Sequence, residues 1–400
     1  MSTSTAPTGG RWRASVALLA GALLVPLTAC GAGSSPERAA ASPTATTPAP
    51  TGPPPEATAS CAERTLDGLD RRERAGQLLM AGVPATDPVS GAAELGDVPV
   101  GGVFLRGRSS AGAEAIGAAV AQLQDAATVP LQVAVDQEGG AVQTLTGPGF
   151  DLLPTALEQA GQPPEQLRAT VAGWARQLRD AGITMDLGPV ADTVPAGTEH
   201  TNPPIGAYDR HYGTDPAAVA AAVTAVVGGL QDAGVAATVK HFPGLGRVDV
   251  NTDTDVGASD PEATRTDPHL EPFRAAVAAG AAAVMVSSAT YPQLDPDRPA
   301  VFSPAVLHLL RDQLGFSGVV VSDDLGAAVA LSGVPVGQRA VAAVGAGVDV
   351  VLTVETGHAR PMTEALVDRA AADPAFAARV DGSALRVLEL KERFGLLTCD

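Results

Sequence analysis

The sequence predicts a single α/β domain folded as a (β/α)8 TIM barrel, and three observations carry that expectation. Eight short runs rich in Val, Ile and Leu recur along the chain, Ala/Leu-rich stretches with apolar residues at three- and four-residue steps fill the gaps, and many of those stretches end in Gly just before the next run. The apolar runs fall at 78–83, 102–105, 131–135, 183–187, 237–239, 283–286, 319–321 and 348–352. They lack clean alternation, as parallel strands covered on both faces do. Helical periodicity occupies 111–126, 165–181, 216–233, 270–279, 304–314 and 337–345. Gly182, Gly234, Gly280, Gly315 and Gly347 are the helix stops expected of αβ loops. Eight such alternations suggest a closed barrel. An open doubly wound sheet is the alternative, weakened because no Gly-rich dinucleotide turn follows the first run.

The two ends of the chain read differently. Residues 1–30 form a leader: Arg11 and Arg13 precede an apolar run at 14–25, then Leu27-Thr28-Ala29-Cys30. A basic start, a short apolar core and small residues mark a secretory signal, too short for a comfortable membrane span. The Leu-Thr-Ala-Cys ending resembles the bacterial lipobox, in which the cysteine becomes the lipid-modified first residue; an ordinary signal peptide with an incidental Cys30 is the alternative. Residues 31–60 are a Pro/Ala/Thr-rich linker that cannot bury enough surface to offset its ordering entropy. The folded domain is expected over 61–400. Its two cysteines, Cys61 and Cys399, sit at its two ends. Export favours disulfides, and a closed barrel brings first and last elements together, so a Cys61–Cys399 bridge is expected, with two unrelated thiols as the alternative.

A net charge of −18 argues against nucleic acid as a partner. The expected setting is the outer face of a bacterial cell membrane, reached through the lipid anchor only, and the expected state is a monomer. Lys240 and Lys391 are the only lysines in a chain whose other basic residues are arginines.

The barrel expectation has an internal check. Active sites of such barrels lie at the C-terminal strand ends, so polar residues should crowd the positions after each run. Arg106, Asp136-Gln137-Glu138, Asp186, Asp192, Lys240-His241, Ser287-Ser288, Asp323-Asp324, Thr353 and Glu355 do so, whereas the run starts are mostly Gly, Ala, Val and Pro.

Three of these clusters carry chemistry. In Val320-Val321-Ser322-Asp323-Asp324-Leu325 a carboxylate stands at the lip of an apolar strand, suited to a nucleophile that forms a glycosyl ester; a helix N-cap is the plain alternative. In Asp136-Gln137-Glu138-Gly139-Gly140 polar side chains follow a buried strand, fit to accept hydrogen bonds from sugar hydroxyls. A metal or turn site is the alternative there, with no histidine cluster to support a metal. In Lys240-His241-Phe242-Pro243-Gly244 two cationic donors open a long loop reaching Asn251-Thr252-Asp253-Thr254-Asp255. The alternating Asp249, Asn251, Asp253 and Asp255 admit calcium as an alternative, but the glycine and closing glutamate of an EF-hand loop are missing. No metal and no cofactor are implied.

Together, Asp-Gln-Glu-Gly-Gly at 136–140, Lys-His-Phe-Pro-Gly at 240–244 and Ser-Asp-Asp-Leu at 322–325 resemble the β-N-acetylhexosaminidases of glycoside hydrolase family 3. Weaker pieces, among them Arg210-His211-Tyr212-Gly213 and Leu314 to Val320, extend the resemblance over nearly all of the folded region. It implies Asp323 as nucleophile, Asp136, Arg210, Lys240 and His241 as substrate-binding residues, and two-step retaining hydrolysis. The implied substrate is a carbohydrate with a terminal β-linked sugar, N-acetylglucosamine of cell-wall glycans before others. Departures from the family pattern are specific. Leu245 and Asn251-Thr252-Asp253 stand where the family has His and Asp-Ser-His, so its Asp–His acid/base dyad is absent. Ala141 and Thr144 replace arginines, and Ser288 a histidine. Asp253 is the expected acid/base in the histidine's place, its pKa raised by burial or by a neighbour such as Asp249 or Asp255. An anionic acid/base repels phosphate, which favours hydrolysis over phosphorolysis. A non-catalytic glycan-binding lipoprotein and a β-glucosidase-like hydrolase on the same fold are the alternatives.

Overall fold

The structure, a computed structural model, describes residues 59–399. The expected leader, Cys30 and nearly all of the linker lie outside the described residues. Ser60, expected as the last linker residue, belongs to the fold: its side chain accepts a hydrogen bond from Glu63 N–H as the cap of α1 (Cys61–Gly68). Asp70 caps α2 (Arg71–Gln77) in the same way through Glu73. Both helices open with a reciprocal capping box, which satisfies end groups that a short helix would otherwise leave unpaired.

Eight parallel strands form one sheet: β1 (Leu79–Pro84), β2 (Gly102–Arg106), β3 (Gln132–Val135), β4 (Met185–Asp186), β5 (Ala236–Phe242), β6 (Ala283–Val286), β7 (Val319–Ser322) and β8 (Val351–Thr353). Each pairs with the next in order. β1 also pairs β8, Leu79 opposite Val351. A bridge between Val321 and Val350, with Ser322 N–H donating to Val350 O at 2.8 Å, closes the ring between β7 and β8. The barrel is therefore closed, not an open sheet, and all eight expected runs meet a strand. The ends move: 237–239 grows to Ala236–Phe242 because Lys240 and His241 continue the strand, and 183–187 shrinks to Met185–Asp186 before Pro189, which has no N–H for the ladder.

α3 (Pro88–Ala93) follows β1. The six expected helices appear as α4 (Ala113–Ala126), α5 (Pro164–Asp180), α6 (Pro216–Asp232), α7 (Glu271–Ala278), α8 (Pro304–His308) and α9 (Val336–Ala346), with α8 running on into a π-helical turn at Leu309–Gln313. Gly182, Gly234, Gly280, Gly315 and Gly347 all have positive φ, the backbone state that ends a helix cheaply only at glycine. α10 (Ala359–Ala372) and α11 (Pro374–Arg393) complete the chain.

Side chains alternate between two cores. Val103, Leu105, Val133, Val135, Val284 and Val320 point outward and pack against the helices. Met80, Phe104, Ala134, Met285, Val321 and Leu352 fill the barrel interior. Val387, Leu390 and Phe394 near the end of α11 join the inner group, so the last helix plugs the floor. The open end is then the C-terminal one. No helix among the described residues is long and apolar enough to cross a membrane.

Cys61 and Cys399 are bonded, with Cα atoms 5.6 Å apart across 338 residues of sequence. The bridge ties α1 to the segment after α11, where α1 already packs. Lys391, fully buried in α11, donates to Gln77 Oε1 at 2.7 Å. Loss of water around it pushes its pKa down to about 7.

Two stability effects follow. Closing so long a loop contributes about 6 kcal/mol in the chain-entropy limit, so Cys61→Ser with Cys399→Ser, or reduction of the native protein, should lower the thermal midpoint by several degrees in calorimetry. Lys391 is neutral in the folded state above about pH 7, whereas in the unfolded chain it keeps its proton to about pH 10. Between those values the unfolded state binds the extra proton, so stability rises with pH at up to about 1.4 kcal/mol per pH unit. Urea midpoints measured between pH 7 and 9.5 should climb for the wild type and climb less for Lys391→Met.

Candidate active site

A cavity of about 340 Å³ opens at the C-terminal end of the barrel, between Phe104, Leu187, Met285 and Leu352 below and the polar strand ends above. Asp136, Arg210, Lys240, His241, Asp253 and Asp323 all line it. Every expected catalytic and substrate-binding residue therefore meets in one place. A larger groove of about 620 Å³ runs outside the barrel beside α2, α3 and α4, where Asp70, Arg72, Glu73 and Asp97 share the lining with apolar side chains and Asp97 is paired with Arg72 and Arg360.

Two of the cavity's cations, Arg210 and Lys240, are held by Glu138, a buried residue behind the lining that its motif did not mark as a hub. Its carboxylate accepts from Arg210 Nε and Nη2, both at 2.8 Å, and lies 2.6 Å from Lys240 Nζ. Lys240 Nζ also donates to Asp136 Oδ1 at 2.6 Å. Burial alone would raise the Glu138 pKa; the Arg210 and Lys240 charges outweigh it and hold the group down at about 2. Burial likewise opposes the charge on Lys240, and Asp136 and Glu138 overcome it, so its pKa is raised. Asp186 lies among these groups, accepting from Gln137 N–H at 3.0 Å, and burial pushes its pKa up to about 7.

His241 is oriented from behind. Asp192, with no exposed surface, accepts from His241 N–H at 3.2 Å and Leu245 N–H at 2.8 Å, and its other oxygen is 2.7 Å from His241 Nδ1. A carboxylate only accepts, so Nδ1 carries the proton and Nε2 is left for a ligand. Asp192 is a sequence-predicted polar residue after the fourth run, but its partnership with His241 spans 49 residues and had no local signal.

Asp323 leaves β7 half-buried, its N–H donating to Val286 O and its Oδ1 accepting from Asp324 N–H at 2.9 Å. Its pKa is raised, chiefly by burial and against the pull of His241. Asp324 is a structural partner: its oxygens accept from Gly326, Ala327 and Val354 N–H. The N-cap-like role weighed for this motif thus belongs to Asp324, leaving Asp323 unoccupied by such work.

The loop from 243 to 260 is tied down. Asn202 Nδ2 donates to Leu245 O and Val248 O, Tyr291 Oη donates to Gly244 O, and Arg247 pairs with Asp260 and Asp267. Ala330 N–H and Val329 N–H donate to Thr252 O and Asp253 O at 3.1 and 3.3 Å. Asp253 is exposed as a residue yet lines the cavity; loss of water around its carboxyl there and then the Asp323 charge raise its pKa to about 6. The carboxylate that matters is thus Asp323, not Asp249 or Asp255, because loop and strand end meet only in the folded chain. Of the positions that depart from the family pattern, Leu245 is a buried apolar wall of the cavity, Thr144 is buried, and Ser288 is buried with no partner for its hydroxyl among the described residues. Among the described residues no group of three His, Cys, Asp or Glu side chains is arranged to hold a metal ion.

Residues 71–390 match the N-terminal domain of glycosyl hydrolase family 3. The chain belongs to that family. Its kinship is to the β-hexosaminidases of family 3. The solved β-N-acetylhexosaminidase of Beutenbergia cavernae DSM 12333 is 45% identical with a TM-score of 0.79, matched over 81% of this chain and 99% of that one. A solved family 3 β-N-acetylglucosaminidase from Paenibacillus sp. str. FPU-7 is 34% identical with a TM-score of 0.73, over 83% of this chain and 64% of its own. The β-hexosaminidase of Stenotrophomonas maltophilia (strain K279a) is 39% identical over 264 residues, 63% of this chain and 76% of that protein. As a family 3 member the chain is a glycosidase, and its substrate is a carbohydrate.

Removing the Glu138 charge leaves two cations sharing Asp136 in a dry site. Glu138→Gln should therefore destabilise the fold by about 3 kcal/mol at neutral pH. Because the folded pKa lies below the ordinary value, this stabilisation is present above about pH 4.5 and lost as pH falls toward 2. Denaturant midpoints of wild type and variant should thus converge on acidification, and a gap that stays constant would contradict the assignment.

Proposed function

We propose that this family 3 glycosidase is a retaining β-N-acetylglucosaminidase that removes terminal N-acetylglucosamine from cell-wall glycans, with Asp323 as nucleophile and Asp253 as acid/base. The observation that carries the proposal is the pairing of two carboxyl groups on one cavity, one at a strand end and one on an anchored loop, close enough that the Asp323 charge raises the Asp253 pKa. An oxygen of Asp323 bonds the anomeric carbon, and the glycosidic oxygen departs with the Asp253 proton. Water then gives a proton to Asp253 and its oxygen to the anomeric carbon, the bond to Asp323 breaks, and the β configuration is restored. Two carboxyl groups with unequal environments can divide these roles. Asp136, Lys240, Arg210 and His241 hold the sugar hydroxyls.

The setting proposed is the outer face of a bacterial membrane, as a monomer tethered through Cys30. The basic start, short apolar core and Leu-Thr-Ala-Cys ending of the leader support it. So does the Cys61–Cys399 disulfide, which persists in an oxidising compartment.

Hydrolysis requires the proton on Asp253 when substrate binds, so kcat/KM should fall as pH rises through about 6. Asp253→Ala should lose that limb. It should also slow release of a sugar leaving group by about 10²–10⁴-fold and of nitrophenol far less, because nitrophenolate leaves without a proton. Asp323→Asn should abolish both. Nitrophenyl β-N-acetylglucosaminide should outrun the β-glucoside; the reverse order would make the protein β-glucosidase-like, and release of neither sugar would leave glycan binding alone. Wild-type behaviour of Asp253→Ala on every substrate would refute the acid/base role.

A further inference from the structure

The loop from 243 to 260 is anchored near its two ends, by the bonds to Gly244, Leu245, Arg247 and Val248 at one and by Thr290 N–H on Ala258 O at the other. Asp253 hangs between them. From Asp249 to Gly257, the hydrogen bonds that leave the loop among the described residues are two, and both run to the segment between β7 and α9. Ala330 N–H donates to Thr252 O at 3.1 Å, and Val329 N–H to Asp253 O at 3.3 Å. Within the loop, Asp253 N–H donates to Asn251 Oδ1 at 2.9 Å. The peptide groups on both sides of the Asp253 Cα are thus engaged, and their support from outside the loop comes from residues 329 and 330.

That segment has a fixing point of its own. Arg339, buried in α9, donates from Nη1 to Leu325 O and Gly326 O, both at 2.8 Å, and from Nε to Val334 O at 2.6 Å. One planar guanidinium therefore joins the start of the segment to its end. Val329 and Ala330 lie between, in the 3₁₀ turn Val329–Leu331. The start is also seated against β8: a Cβ on Gly326 would come within 2.2 Å of Thr353 Oγ1. Ala327 and Ala328 of the segment line the cavity, and Arg339 lies behind that lining. Without Arg339, three carbonyl groups lose their donor and the two ends lose their common tie.

We propose that Arg339 is a positioning residue for the reaction: it staples the segment after β7, and through Ala330 and Val329 that segment holds Asp253 at the cavity it shares with Asp323. The inference rests on the reading of Asp253 as acid/base. A general acid acts only within hydrogen-bond reach of the oxygen it protonates, and a misplacement of about 1 Å caused by a remote change can cost about 10²-fold in rate. Asp323 depends less on the staple, because its N–H is held by Val286 O in the neighbouring strand β6. A lysine at 339 would keep the charge but lack the fork that spans both ends.

The test compares Arg339→Gln with the wild type on two β-N-acetylglucosaminides, one losing a sugar and one losing nitrophenol. Release of the sugar should slow by about 10²-fold, in kcat more than in KM, and release of nitrophenol far less. The alkaline limb of kcat/KM should move below about pH 6, because a carboxyl freed into water loses the burial that raises its pKa. Arg339→Lys should recover part of the loss. Ala330→Pro removes one strap N–H and leaves α9 untouched; it should give the same split between leaving groups, and it decides by the same criteria if Arg339→Gln does not fold. Adding Arg339→Gln to Asp253→Ala should widen the split no further. Equal losses on both leaving groups, an unmoved pH limb, or additive losses in the double variant would overturn the proposal. A split in Asp253→Ala that Arg339→Gln and Ala330→Pro both lack would sink the staple and leave the acid/base standing, whereas no split in Asp253→Ala would sink the two together.

Discussion

Closing eight parallel strands into a ring forces all their C-terminal ends onto one face, and the site depends on that constraint. Asp136 leaves β3, Lys240 and His241 sit in β5, Asp323 leaves β7, and Asp253 hangs from the loop after β5. None of these is near another in sequence except within Lys240-His241. The ring holds because inward and outward side chains fill separate cores, and because α11 plugs the floor, leaving one mouth for a substrate.

Within that mouth, charge is arranged so that the cations are spent on holding carboxylates. Glu138 binds Arg210 and Lys240, Lys240 binds Asp136, and Asp192 binds His241. Such pairs cost desolvation energy and return geometric definition: each partner has one place to be. Asp323 and Asp253 hold none of these ion pairs, and burial is the chief cause that raises the pKa of both. A network that clamps its neighbours while leaving two carboxyls underpaired suits the division of labour proposed for Asp253 and Asp323, one acid and one nucleophile at the same pH. The loop that carries Asp253 is anchored by Asn202, Arg247 and Tyr291.

Much of this was legible in the chain. Apolar runs located all eight barrel strands because both faces of a parallel sheet are buried, and three- and four-residue periodicity located six helices, five of them followed by a glycine stop. α1 and α2 escaped the periodicity because they are short and polar, although Ser60–Glu63 and Asp70–Glu73 spell capping boxes that announce them. α10 and α11 escaped because they follow the eighth strand, where no further apolar run brackets a helix. Asp323, Asp136, Lys240 and His241 were legible because each stands just after an apolar run of the sequence. The hub role of Glu138 and the backing of His241 by Asp192 were not, since ion pairing across 72 and 49 residues leaves no local pattern.

Sequence by itself therefore determined the barrel, the residues at its mouth, the disulfide and the family, because periodicity, strand-end polarity and motif order are local properties of the chain. Only tertiary structure decided which carboxylate raises the Asp253 pKa and which cations hold carboxylates. Those depend on distances between strand ends, and a distance across the barrel is set by closure of the ring rather than by any neighbouring residue.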